Sequence, residues 1–190
     1  MRVITILMLS LLLCANLAAK KKGAPGMSAG APGDRSCNSK KCHAGNELNS
    51  DKGSIFIEGL PKTYTPNEIY EISLRMEHPG AKRWGFQVTV ANDEGDASGL
   101  LLNTEDQPTH ILDNTRFKSR TNRQYLTHNV KGIKGPKKGK SDTWIIQWKA
   151  PEAAIDTSSF YFAFNAGDGN KKKTGDYIYT RTMTIPPATE

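Results

Sequence analysis

Trp84-Gly85-Phe86-Gln87-Val88-Thr89-Val90 alternates large apolar side chains with small or polar ones, and this stretch decides the fold. A period of two sends successive side chains to opposite faces of a strand. Trp84, Phe86, Val88 and Val90 therefore predict one face on a core, with Gln87 and Thr89 on a polar face. The pattern recurs on both sides. Upstream, Tyr70, Ile72, Leu74 and Met76 alternate with Glu71, Ser73 and Arg75. Downstream come Trp144, Ile146 and Trp148, then Phe160, Phe162 and Phe164, then a looser alternation over Tyr177–Ile185. Ser54–Ile57, Gly99–Leu102 and Gln124–His128 are shorter candidates.

Turn formers separate these runs at Thr65-Pro66-Asn67, His78-Pro79-Gly80, Asn92–Gly95, Gly135-Pro136 and Gly167–Gly175. No helical period appears from Ser54 onward. Some eight short strands, each with one apolar face, predict an all-β, antiparallel two-sheet sandwich. Trp84, Trp144 and Trp148 all fall on the apolar phase, which predicts core packing rather than a carbohydrate platform.

The first nineteen residues have a different composition. Arg2, an apolar run from Val3 to Leu13 and small residues before Lys20 form the order of a secretory signal peptide, with cleavage after Ala19. Residues 20–50 are rich in Gly, Ala, Pro, Ser, Asn and Lys and hold two GAPG tetrapeptides, at Gly23–Gly26 and Gly30–Gly33. Such a segment cannot build a core alone, so it is a strap in need of an anchor. The expected organisation is 1–19 signal peptide, 20–50 strap and 51–187 sandwich. With no second apolar span, a periplasmic or secreted protein without a membrane span after processing is expected.

The formal charge is +7, mostly from lysines in runs at Lys20–Lys22, Lys131–Lys140 and Lys171–Lys173. These runs read as solvated loops or as a face for an acidic partner. Nucleic acid is not expected outside the cytoplasm, and no basic run is interleaved with aromatic residues.

Cys37-Asn-Ser-Lys-Lys-Cys42-His43 is the constellation with a specific chemical reading. A c-type haem is attached by thioether bonds from two cysteines, and the histidine after the second cysteine reaches the iron. The usual loop holds two residues between the cysteines; this one holds four. One covalent haem c on Cys37 and Cys42, with His43 as proximal iron ligand, is one expectation. A Cys37–Cys42 disulfide is another, and a zinc site including His43 is a third.

The order of GAPG-x-x-x-C…C-H, YTPNEIYEI, RWGFQVTV, YLTHN, WIIQWKAP and FNAGDGN…GDYIYT resembles the exported choice-of-anchor V domains of bacteria, which are similar to the Reelin-type (Reeler) domain. The resemblance spans about Gly30 to Ile185. It implies an immunoglobulin-like sandwich preceded by an irregular N-terminal haem-bearing segment, with a CxxCH-type motif where Cys37, Cys42 and His43 stand. The sorting tail that names the group is not seen in this sequence, so a free exported protein is expected.

A distal iron ligand would come from His78, His110, His128, Met27, Met76 or Met183. His78 reads as a turn residue and His110 as part of a polar loop. His128 ends a strand in Tyr125-Leu126-Thr127-His128 and is the expected distal ligand; the alternative is a structural histidine. Asp168-Gly169-Asn170…Asp176 lacks the ordered oxygen spacing of a calcium loop and reads as a hairpin turn. No nucleophile elbow, paired-carboxylate motif or phosphate loop is found. The functional expectation is electron transfer or redox sensing with an unidentified, acidic redox partner. A disulfide-stabilised extracellular recognition or adhesion module without haem is the alternative.

Overall fold

A computed structural model describes residues 23–39, 42–112, 121–134 and 142–189. The signal peptide, Lys20–Lys22, Lys40, Lys41 and most of the Lys131–Lys140 run lie outside the described residues. The strands are β1 (Ser54–Glu58), β2 (Ile69–Glu77), β3 (Arg83–Ala91), β4 (Leu100–Leu102), β5 (Thr109–Leu112), β6 (Tyr125–His128), β7 (Asp142–Lys149), β8 (Ser158–Gly167) and β9 (Tyr177–Ile185). A short 3-10 helix, Val130–Ile133, follows β6. Every strand pairing is antiparallel.

Two sheets face each other, in the orders β1-β2-β7-β4 and β5-β6-β3-β8-β9. Their facing sides carry the apolar phases expected from the alternation. Ile72, Leu74, Met76, Trp144, Ile146 and Trp148 come from one sheet, and the Trp84–Val90 and Phe160–Phe164 rows from the other. All three tryptophans are buried. Phe160, Phe162 and Phe164 stack along β8 at 5.9 and 6.4 Å between centroids. Trp148 meets Phe160 edge-on at 4.9 Å, which locks the sheets in register.

Two expectations need correction. His110 lies in β5, not in a polar loop, and β5 pairs with β6 through Thr109↔His128 and Leu112↔Tyr125. Thr109–Leu112 is too short to show a period, so the pairing had no local signal. The second concerns β3, whose outer face is not solvated. Gln87, Thr89, Tyr125 and Thr127 are all buried; the strap lies over Gln87, Tyr125 and Thr127, and Thr89 donates to the Gln124 carbonyl.

The strap is held by polar side chains. Gln87 accepts from the Ser28 N–H at 2.8 Å and donates to the Pro25 carbonyl at 3.1 Å, pairing with the strap backbone as a neighbouring strand would. At the second GAPG and the aspartate after it, Arg123 donates to the Pro32 carbonyl and to Asp34, and the Tyr125 hydroxyl donates to Asp34 at 2.7 Å. Ala29 and Ala31 are buried between these clamps. The protein itself anchors the strap.

Candidate functional site

The strap runs on into the Cys-Cys-His loop, which is closed by its own backbone. Cys42 N–H donates to Ser39 O, and His43 N–H donates back to Cys37 O at 3.2 Å. The next residue fastens the loop to the β8–β9 hairpin, where Ala44 N–H donates to Lys173 O at 2.8 Å. Both cysteines are free thiols. Cys37 donates its S–H to Ser28 O at 3.1 Å. Burial, with the neighbouring Cys42 adding to it, pushes the Cys37 thiol up to about 12. A thiol held protonated in this way is a poor zinc ligand. Among the described residues no three His, Cys, Asp or Glu side chains converge as a metal-ion site.

His43 is oriented by groups from β8 and from the hairpin. Its Nδ1 lies 2.6 Å from Asp176 Oδ2. A carboxylate only accepts, so Nδ1 carries a proton, and Nε2 is the nitrogen turned away from Asp176. That nitrogen faces the Asn165 amide at 3.4 Å. Asp176 is buried and fixed from behind, its Oδ1 accepting from Asp168 N–H at 3.1 Å. A histidine backed by a carboxylate at Nδ1 is the usual arrangement for a metal-ligating ring. Asp176 lies 133 residues from His43, in a stretch whose sequence signals only a turn.

His128 stands two strands away on the same sheet. Asn165 on β8 pairs with Gly85 on β3. A Cβ at Gly85 would lie 2.6 Å from His128 Cε1, so the imidazole fills the space that a side chain there would occupy. The sequence His43, Asn165, Gly85, His128 thus crosses the sheet in neighbouring positions. His128 Nδ1 is 3.0 Å from Phe86 N and 3.2 Å from Phe86 O. It can accept from the first or, when protonated, donate to the second; only the second arrangement leaves Nε2 free to coordinate. Burial lowers the His128 pKa to about 4, partly opposed by the Phe86 backbone, so the ring is neutral near pH 7.

His110 sits next to the strap on β5, its Nδ1 buried without a hydrogen-bond partner among the described residues; the methionines and His78 are spoken for or distant. Met76 is fully buried between the sheets, and Met183 packs against the same core. Met27 turns the strap at φ 60°, its carbonyl accepting from Arg35 N–H. His78 closes the β2–β3 turn, accepting from Gly80 N–H at 3.1 Å. Asp168 and Asn170 bind each other and the hairpin backbone, as expected of a turn.

Gly85→Ala should displace the His128 ring and break its bond to Phe86. The expected cost is about 1–3 kcal/mol, the range for overpacking a filled site. Denaturant unfolding measures it; a loss within experimental error would show that the ring has room to move.

The architecture defines an antiparallel β-sandwich with a strap across one outer face. No family model matches the sequence, and no curated protein does. Among solved structures, the chain is similar to the Reelin-N domain of F-spondin, at 17% identity over 75% of this chain and 91% of that one, with a TM-score of 0.50. The human F-spondin reeler domain matches at 17% identity over 73% of this chain and 92% of that one, with a TM-score of 0.47. The chain therefore has a Reeler-type fold. At this identity the likeness concerns the fold alone.

Proposed function

We propose that this chain is an exported periplasmic or secreted carrier of one covalent c-type haem, held by Cys37 and Cys42 and ligated by His43, and that it exchanges single electrons. The observation that carries this reading is the state of His43. Its Nδ1 is held by buried Asp176, its Nε2 meets only the Asn165 amide at 3.4 Å, and the loop it closes carries two free thiols. The donor set fits the group. Each thioether forms by addition of a thiol across a vinyl group, which requires both sulfurs reduced. Bound haem would supply one-electron redox chemistry at iron.

The chain's own residues do the positioning. Asp176 fixes the direction of the His43 ring. The Ala44–Lys173 bond ties the loop to the rigid hairpin. His128 is the distal ligand in this reading, with its Nδ1–H turned to Phe86 O.

Export from a host with haem-c maturation machinery should give red protein whose haem stain survives a denaturing gel. Cys37→Ala with Cys42→Ala should abolish the stain and leave the sandwich and strap folded, because Gln87, Arg123 and Tyr125 hold the strap. A colourless wild-type protein with Cys37 joined to Cys42 would instead identify a disulfide-stabilised recognition or adhesion module. The Reeler-type fold favours that second reading.

A further inference from the structure

The charges of the sandwich are separated along its strands. Arg83 begins β3 opposite Gly167, the last residue of β8, so the β2–β3 turn, the β8–β9 hairpin and the Cys-Cys-His loop share one end. Lys82, Arg83, Lys134, Lys171 and Lys172 are all exposed there. Their proximity is fixed by backbone contacts. Lys82 N–H donates to Gly167 O at 2.8 Å, Arg83 bridges to Lys134, and a Cβ on Gly169 would lie 3.4 Å from Lys82 Cβ. Among the described residues none of the five takes part in an ion pair. Of the acids at this end, Asp176 is held by His43, Asp168 by Asn170 and Glu77 by Arg75, while exposed Glu47 and Asp51 lie beside the start of β9, on the other side of the hairpin from Lys82 and Lys134. Glu105 and Asp106, also exposed, lie in the β4–β5 connection, beside the opposite edge of this sheet from the hairpin.

The far end has the opposite sign. Glu68, Asp93, Glu94, Asp96 and Glu152 are exposed in the turns where β2 begins, β3 ends and β7 gives way to β8. The nine residues of β3 separate the two ends by about 26 Å, at about 3.3 Å per residue. That exceeds the Debye length of about 8 Å at physiological salt, so a binding partner feels the near end almost alone.

We propose that the basic end formed by Lys82, Arg83, Lys134, Lys171 and Lys172 is a docking surface for a protein that presents a cluster of carboxylates. This rests on the electron-transfer reading, which calls for a protein partner placed against the Cys37–His43 loop. The charge separation serves that need directly. It attracts an acidic face to the loop-bearing end, repels it from the other, and so orients the encounter before contact.

The test uses the full exported chain and a fluorescent peptide of about 20 residues rich in Asp and Glu, titrated at about 20 and 200 mM salt. Wild type should bind the peptide at least tenfold more weakly at the higher salt. Lys82→Glu with Lys172→Glu should lose at least tenfold at the lower salt. Lys62→Glu with Arg181→Glu, matched in net charge but away from the patch, should change affinity less than threefold. Equal loss in both double variants overturns the proposal. So does failure to bind the peptide where anionic lipid vesicles or heparin bind. Haem absorbance of the same samples is an independent readout. Colourless protein with patch-dependent binding would sink the haem reading and keep the docking surface; red protein without such binding would do the reverse.

Discussion

Replacing Asp34 by alanine is expected to cost about 3–5 kcal/mol and to expose the strap to proteases, as removal of one member of a buried ion pair usually does. The Asp34 and Arg123 side chains are 0% and 1% exposed and meet at 3.0 Å. Burial raises the Asp34 carboxyl above its ordinary value, and the Tyr125 hydroxyl and Arg123 oppose that rise. The pair is therefore expensive to bury and more expensive to break. Without Asp34, a guanidinium would remain under the strap with its carboxylate gone. Against a typical total of about 5–15 kcal/mol, this loss approaches the margin for folding. Denaturant unfolding gives the magnitude, and limited proteolysis gives the place, with new cuts expected between Gly23 and Arg35. A cost under about 1 kcal/mol would mean that the contact behaves as a surface ion pair and does not hold the strap.

The second large effect concerns His128. If it caps the iron, the ferric protein should be low-spin and slow to bind imidazole, because a protein ligand must leave first. His128→Ala should give a high-spin spectrum and rapid imidazole binding, while His78→Ala and His110→Ala should leave the spectrum unchanged. Nδ1 must donate to Phe86 O for this role, although Phe86 N is the nearer of the two backbone atoms. The bond to Phe86 N–H would then be given up on ligation. Unaltered low-spin bands in His128→Ala would leave His128 as the residue that fills the space over Gly85. The role could not pass to Met76, which is buried between the sheets.

The sandwich was legible because its core rows alternate over long strands. Trp84–Val90, Ile69–Met76 and Phe160–Phe164 each show the period, and all face inward. What the alternation could not show was a second covering layer. Gln87, Tyr125 and Thr127 occupy outward positions that usually meet water, but here they meet the strap. Their partners lie 62 residues away for Gln87 with Pro25 and 91 for Tyr125 with Asp34, so no local pattern links them. The attachment loop was legible from Cys37, Cys42 and His43 alone. Asp176, which fixes His43, was not, because an aspartate after glycine in a hairpin satisfies ordinary turn chemistry. A repeated conjunction of GAPG-Asp with a buried arginine before Tyr125 would have been the signal for the strap clamp.

Covalent haem on Cys37 and Cys42 is the central claim, and mass spectrometry of the exported chain tests it most directly. The proteolytic peptide containing Cys37, Cys42 and His43 is predicted to be heavier by one haem, and the Cys37→Ala with Cys42→Ala peptide is predicted to carry no such addition. A wild-type peptide lighter by two hydrogens, with Cys37 bonded to Cys42 and no haem, would contradict the account.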